Sequence, residues 1–82
     1  MGQLADALID LDKETALVAT QQALAADQDP LGLVDDARQG LEVVGDRFES
    51  GEFFLMELMR AAQIFQAVAD LLHPKIMEVY GG

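Results

Sequence analysis

Apolar residues recur at alternating three- and four-residue spacings along most of the chain, the period of helices that bury one face. Leu4, Ala5, Leu8, Ile9 and Leu11 follow that spacing within Met1 to Leu11, a segment so short that it is stable only when docked. Asp12 reads as an N-cap, with Lys13 and Glu14 opening a second helix that runs to about Ala26. Leu17, Val18, Leu24 and Ala25 mark one of its faces. Ala16, Ala19, Ala23 and Ala26 mark an adjacent face of small residues, over which another helix can come close.

The clearest boundary is Asp27-Gln28-Asp29-Pro30, where Asp29 suits an N-cap and Pro30 the first helical position. The third helix is predicted from Pro30 to about Ser50, with Val34, Ala37, Leu41, Val44 and Phe48 in one stripe. Gly32, Gly40 and Gly45 interrupt good helix formers, and an exposed helical glycine costs about 1 kcal/mol relative to alanine. A tight helix crossing is one reason for such a residue. For Gly45, one turn before Phe48, the other is close approach of a partner or ligand. Gly51 suits a left-handed stop, and Glu52 and Phe53 form a short link.

A fourth helix starts near Phe54. Leu55, Leu58, Ala62, Phe65, Ala69 and Leu72 form one stripe, and Phe54, Ala61, Ile64, Val68 and Leu71 a second beside it. A helix apolar over so much of its girth is expected at the centre. Glu57 and Arg60 are spaced to pair across one turn. Pro74 is expected to end or kink this helix, with Ile76, Met77, Val79 and Tyr80 adding a last turn. The fold predicted is all-α: a four-helix antiparallel bundle with short connections, one domain over residues 1–80 and a frayed tail at 81–82.

Composition narrows the function. The chain has 82 residues, 51% of them apolar, which allows one domain with a real core. No cysteine is present, which removes disulfides and thiolate metal sites and suits the cytoplasm. A net charge of -10 argues against nucleic acid and against an anionic membrane surface. No cationic segment precedes an apolar run, so no signal peptide is expected, and no run approaches the roughly 20 residues of a membrane span.

Catalytic chemistry is hard to find. The many carboxylates read as a solvated face; Asp35 and Asp36 are adjacent and point apart, and Asp6, Asp10 and Glu14 straddle a predicted break. No Glu-x-x-His pair exists for a di-metal bundle, and no metal site is expected. His73, the sole histidine, is placed at a helix end, where a cation suits the terminal carbonyls. Ser50 is the sole serine, and no phosphate loop or dinucleotide fingerprint occurs, so no catalytic residue is assigned. What remains is apolar: Phe48, Phe53, Phe54, Leu55, Leu58 and Met59 cluster around one turn. They either close the core or cover a flat apolar ligand or partner. Met56, Met59 and Met77 suit either role, since thioethers adapt to irregular contacts.

The stretch V-G-D-R-F-E-S-G-E-F-F-L-M-E-L-M-R-A-A, Val44 to Ala62, resembles the helical cap module of corrinoid-binding methyltransferase proteins. That family includes cobalamin-dependent methionine synthase and the small corrinoid proteins of methylamine and methanol methyl transfer. L-A-D-A-L-I-D-L-D at Leu4 to Asp12, D-P-L at Asp29 to Leu31 and L-L-H-P at Leu71 to Pro74 extend the resemblance over nearly the whole chain. It implies a four-helix bundle set above a Rossmann-like cobalamin-binding domain, shielding the upper face of the corrin ring during methyl transfer with corrinoid methyltransferase partners. Phe48, Leu55 and Leu58 match the cofactor-contacting positions, which leaves Phe54 and Met59 to the core. Such a cover excludes water and moves aside as a lid. The family usually has proline after the residue matching Leu55; Met56 stands there. The D-x-H-x-x-G element, whose histidine ligates cobalt from below, does not occur in this chain, so cobalamin is expected only with a partner domain. The alternative is a stand-alone interaction module that forms a homodimer through the same apolar surface.

Overall fold

A computed structural model describes residues 2–81; Met1, at the predicted start of the first helix, and Gly82, in the predicted tail, lie outside the described residues. Four helices follow in order: α1 (Gln3–Ile9), α2 (Lys13–Ala25), α3 (Pro30–Glu49) and α4 (Leu55–Tyr80). They form an all-α bundle, and no strand occurs among the described residues.

The starts of the middle helices follow from local chemistry. At α2 the Asp12 carboxylate accepts the Thr15 backbone N–H at 3.1 Å and its hydroxyl at 2.7 Å, satisfying a helix-terminal donor. At α3 Asp29 accepts the Leu31 N–H at 3.1 Å, and Pro30 occupies the first turn, where no N–H is needed. Gly51 closes α3 with φ 84°, a left-handed conformation that glycine adopts without steric penalty.

The shortest helix is the most enclosed. Leu4, Ala5, Ala7 and Leu8 of α1 are all buried, and α1 packs on each of the other three helices. Its first turn is held from α3: the Asp36 carboxylate accepts N–H groups of Gly2 at 2.7 Å and Leu4 at 3.0 Å. Four of the seven residues of α1 being buried explains how a helix below the length stable in water persists. The core continues through Ala16, Ala19 and Ala23 of α2, Leu33, Ala37 and Val44 of α3, and Ala61, Ile64, Val68 and Leu72 of α4. Thr20 is buried among them, its hydroxyl donating to the Ala16 carbonyl at 2.8 Å.

First, α4 carries through Pro74 to Tyr80: the proline does not end the helix, and Ile76, Met77, Val79 and Tyr80 continue it as a last turn. Proline removes one backbone bond and crowds the preceding turn. Flanking contacts hold the helix across it: Leu72 is fully buried, Ile76 packs against the core, and the Tyr80 hydroxyl donates to Asp29 at 2.7 Å. At 26 residues α4 is about 39 Å long, which sets the 42 Å long axis of the molecule. Secondly, α4 is not a helix buried all round. Ala62 of the first predicted stripe is exposed, and so are Leu55 and Met59. At its far end Gly81 closes the helix, its N–H bonding the Met77 carbonyl at 3.0 Å.

Candidate functional site

The turn between α3 and α4 is tightly tied. Gly51 N–H bonds the Phe48 carbonyl at 3.2 Å, and Phe53 N–H bonds the Arg47 carbonyl at 3.0 Å. The Ser50 hydroxyl donates to that same Arg47 carbonyl at 3.0 Å. The Arg47 guanidinium lies 5.5 Å from the centre of the Phe53 ring, a cation–π distance, and 3.6 Å from the Glu52 carboxylate. Phe53 itself packs inward on the core. The corner is therefore a fixed platform on which the neighbouring apolar side chains are displayed.

At the start of α4, Glu57 accepts the Phe54 backbone N–H at 2.7 Å. That contact replaces the predicted Glu57–Arg60 pair. Phe54 has no side-chain acceptor for the orphan amides of the first turn, and the nearby carboxylate also suits the positive end of the helix. The helix start thus needs no proline after Leu55; Met56 occupies the second helical position and is 79% exposed.

Of the predicted contact residues, Phe48 lies in the last turn of α3 and is 38% exposed, and Leu55 is the first residue of α4 and 58% exposed. The turn brings these two to the same end of the bundle. Leu58 is half-buried and packs against the core beneath.

Phe54 and Met59 are not core residues, contrary to the sequence expectation: they are 73% and 53% exposed. Phe54 precedes the helix with extended backbone, so its side chain is not on the stripe that Ala61, Ile64, Val68 and Leu72 bury. Met59 stands one turn from Leu55 and shares its outward face. That i,i+4 relation was available in the sequence as a signal. With Met56, these residues make an exposed apolar corner contributed by both helix ends and the link between them.

A second group of exposed apolar residues, Met77, Val79 and Tyr80, lies at the C-terminal end of α4. His73 is exposed in the interior of α4, not at a helix end as predicted. Among the described residues no group of three or more His, Cys, Asp or Glu side chains is arranged to hold a metal ion. The carboxylates of α3 are engaged locally. Hydrogen bonds from Arg38, then Gln39, hold Asp35 below the usual carboxylate range, and Arg38 also pairs with Glu42. No helix of the described residues is long and apolar enough to cross a membrane.

A family model described as the B12 binding domain matches residues 2–73. Trimethylamine corrinoid protein 2 of Methanosarcina acetivorans is 33% identical over 72 residues, which are 87% of this chain and 33% of that protein. Trimethylamine corrinoid protein 1 of Methanosarcina mazei is 35% identical over 72 residues, with the same 87% and 33% shares. Monomethylamine corrinoid protein 2 of Methanosarcina mazei is 28% identical over 76 residues, 92% of this chain and 35% of that protein. The chain spans about a third of the length of these curated relatives. No solved structure matches.

Proposed function

The chain belongs to the B12 binding domain family, as a helical cap module of corrinoid proteins, and from that premise we propose that it shields the upper face of a corrinoid cofactor during methyl transfer. The observation that carries the reading is the exposed apolar corner of Phe48, Leu55 and Met59, contributed by the ends of two helices that meet at one turn. The relatives are named as trimethylamine and monomethylamine corrinoid proteins, so methylamine-derived methyl groups are the cargo this reading favours.

The residues fit a cover and not a lower ligand. Cobalamin, when bound by a partner domain, supplies the cobalt that carries the methyl group. Phe48 and Leu55 would lie over the ring face and exclude water from it, with Leu58 backing Leu55 from below. Excluding water is worth most at a reactive centre, because it removes a competing nucleophile. His73, exposed along α4, has no place in that contact. A Rossmann-like cobalamin-binding domain outside this chain would hold the cofactor, and the cap would swing aside for the methyltransferase partner.

The test is titration of the chain into methylcobalamin, with and without a cobalamin-binding domain. The reading predicts association only with the loaded domain, weakened by Phe48→Ala and by Leu55→Ala. Equal association of wild type and both variants would overturn it.

A further inference from the structure

We infer that Gly45 is a recess for the edge of the corrin ring: its missing side chain lets the macrocycle lie against the α3 backbone between Phe48 and the start of α4. The inference rests on the cap reading of the same surface and assigns a role to a residue that the fold does not require.

The glycines of α3 differ in what surrounds them. A Cβ at Gly40 would fall 2.7 Å from the Cα and carbonyl oxygen of Ala5, so the α1 crossing requires glycine there. A Cβ at Gly32 would meet the Asp29 side chain at 3.9 Å, an ordinary contact. A Cβ at Gly45 would meet nothing within 4 Å. Gly45 has no left-handed backbone either; the described glycine with positive φ is Gly51. A glycine in a helix interior destabilises it relative to alanine, so residue 45 is less stable than it needs to be for folding alone.

Its position explains the exception. Leu41, Gly45 and Phe48 stand at i, i+4 and i+7, on one flank of α3. Leu41 is half-buried against the core and Phe48 is 38% exposed, so that flank faces outward toward its C-terminal end. On α4, Leu55, Met59 and Ala62 share the same spacing, and all three are exposed. The gap at Gly45 thus adjoins the apolar corner. A methyl group there would stand off the backbone by about 1.5 Å, enough to lift a flat ring from the surface.

Charge selects the occupant. Glu49, one turn after Gly45, is an exposed carboxylate, and Glu42, one turn before it, is exposed as well and shares its charge with Arg38. A second copy of this chain would set like charges against them, whereas the amide-fringed edge of a corrin ring offers N–H donors.

The experiment measures stability and cofactor protection together on Gly45→Ala, with Gly32→Ala as the control at the far end of α3. Protection is the rate at which light releases the methyl group of methylcobalamin held by a cobalamin-binding domain in the presence of the chain. Gly45→Ala is expected to raise the thermal midpoint of the chain by on the order of 4 °C, yet to speed methyl loss several-fold. Gly32→Ala should leave protection unchanged. If Gly45→Ala lowers the midpoint, or protects as wild type while Phe48→Ala does not, the recess is overturned and the cap reading stands. If Gly45→Ala, Phe48→Ala and Leu55→Ala all protect as wild type, the cap reading falls with it.

Discussion

Ala5 of α1 and Gly40 of α3 meet backbone to backbone: a Cβ at residue 40 would come within 2.7 Å of the Ala5 Cα and carbonyl oxygen. Ala5 is fully buried, and backbone cannot swing aside as a flexible side chain does. Gly40→Ala therefore forces α1 off α3. Overpacking of this kind costs about 1–3 kcal/mol, against about 1 kcal/mol gained in helix propensity. The expected outcome is net destabilisation, with earlier loss of amide protection in α1 than in α4. Chemical denaturation and hydrogen exchange on the variant check it.

Tyr80 ties the end of α4 to the start of α3 through Asp29, which shows that these two helices run antiparallel. The hydrogen bond to Asp29, then burial, raises the Tyr80 phenol above its usual value. A raised phenol pKa means that folding favours the neutral form. The contribution is fully present below the unfolded value of about 10 and is lost as pH rises through the higher folded value. Tyr80→Phe should remove that alkaline dependence and loosen the segment beyond Pro74. Ultraviolet titration of wild type and variant reads it.

Asp12 behaves with the opposite sign. Hydrogen bonds from the Thr15 side chain, then from its backbone N–H, lower the Asp12 carboxyl below its usual range. The cap is therefore fully present above the unfolded carboxylate value of about 3.9 and is lost as pH falls through the lower folded value. Protection of the Thr15 amide should disappear in that window, while Asp12→Asn should keep a cap without the pH dependence. Amide exchange across an acid titration checks both.

Self-association through the apolar corner is the competing fate of this surface. Each copy carries a net charge of -10, and Asp46, Glu49 and Glu52 beside the corner are exposed. Repulsion between copies is strongest at low salt and weakens as the Debye length falls to about 10 Å at 0.1 M. Sedimentation is expected to find monomer at low ionic strength, with any self-association growing with salt and reduced by Leu55→Ala. A dimer that is strongest at low salt and indifferent to Leu55→Ala would contradict this account of the corner.

The sequence carried its helix boundaries openly wherever one residue decides them. Asp12, Asp29-Pro30 and Gly51 act through hydrogen bonds or backbone angles within a few residues, so local chemistry suffices. The departures arose where distant contacts decide. Pro74 lies inside α4 because Leu72, Ile76 and Tyr80 are anchored on other helices. The α3 stripe also takes in Leu33 and Gly40, because α1 docks on that flank. Phe54 and Met59 were assigned to a core that Ala61 and Ile64 fill instead, and apolar composition alone does not distinguish a core residue from a displayed one. Phe48 and Leu55 are singled out by the resemblance of Val44 to Ala62 to a cap module; the Gly51 turn accounts only for the two standing at the same end of the bundle.

The central claim is that Phe48 and Leu55 close over the reactive face of a corrinoid. Its most direct measurement is the photolysis rate of methylcobalamin held by a cobalamin-binding domain, with the chain added at saturation. The cap predicts a slower loss of the methyl group with wild type and a return toward the uncapped rate with the Phe48→Ala, Leu55→Ala double variant, whose helical content should be unchanged. Equal protection by wild type and the double variant, or none by either, would contradict it.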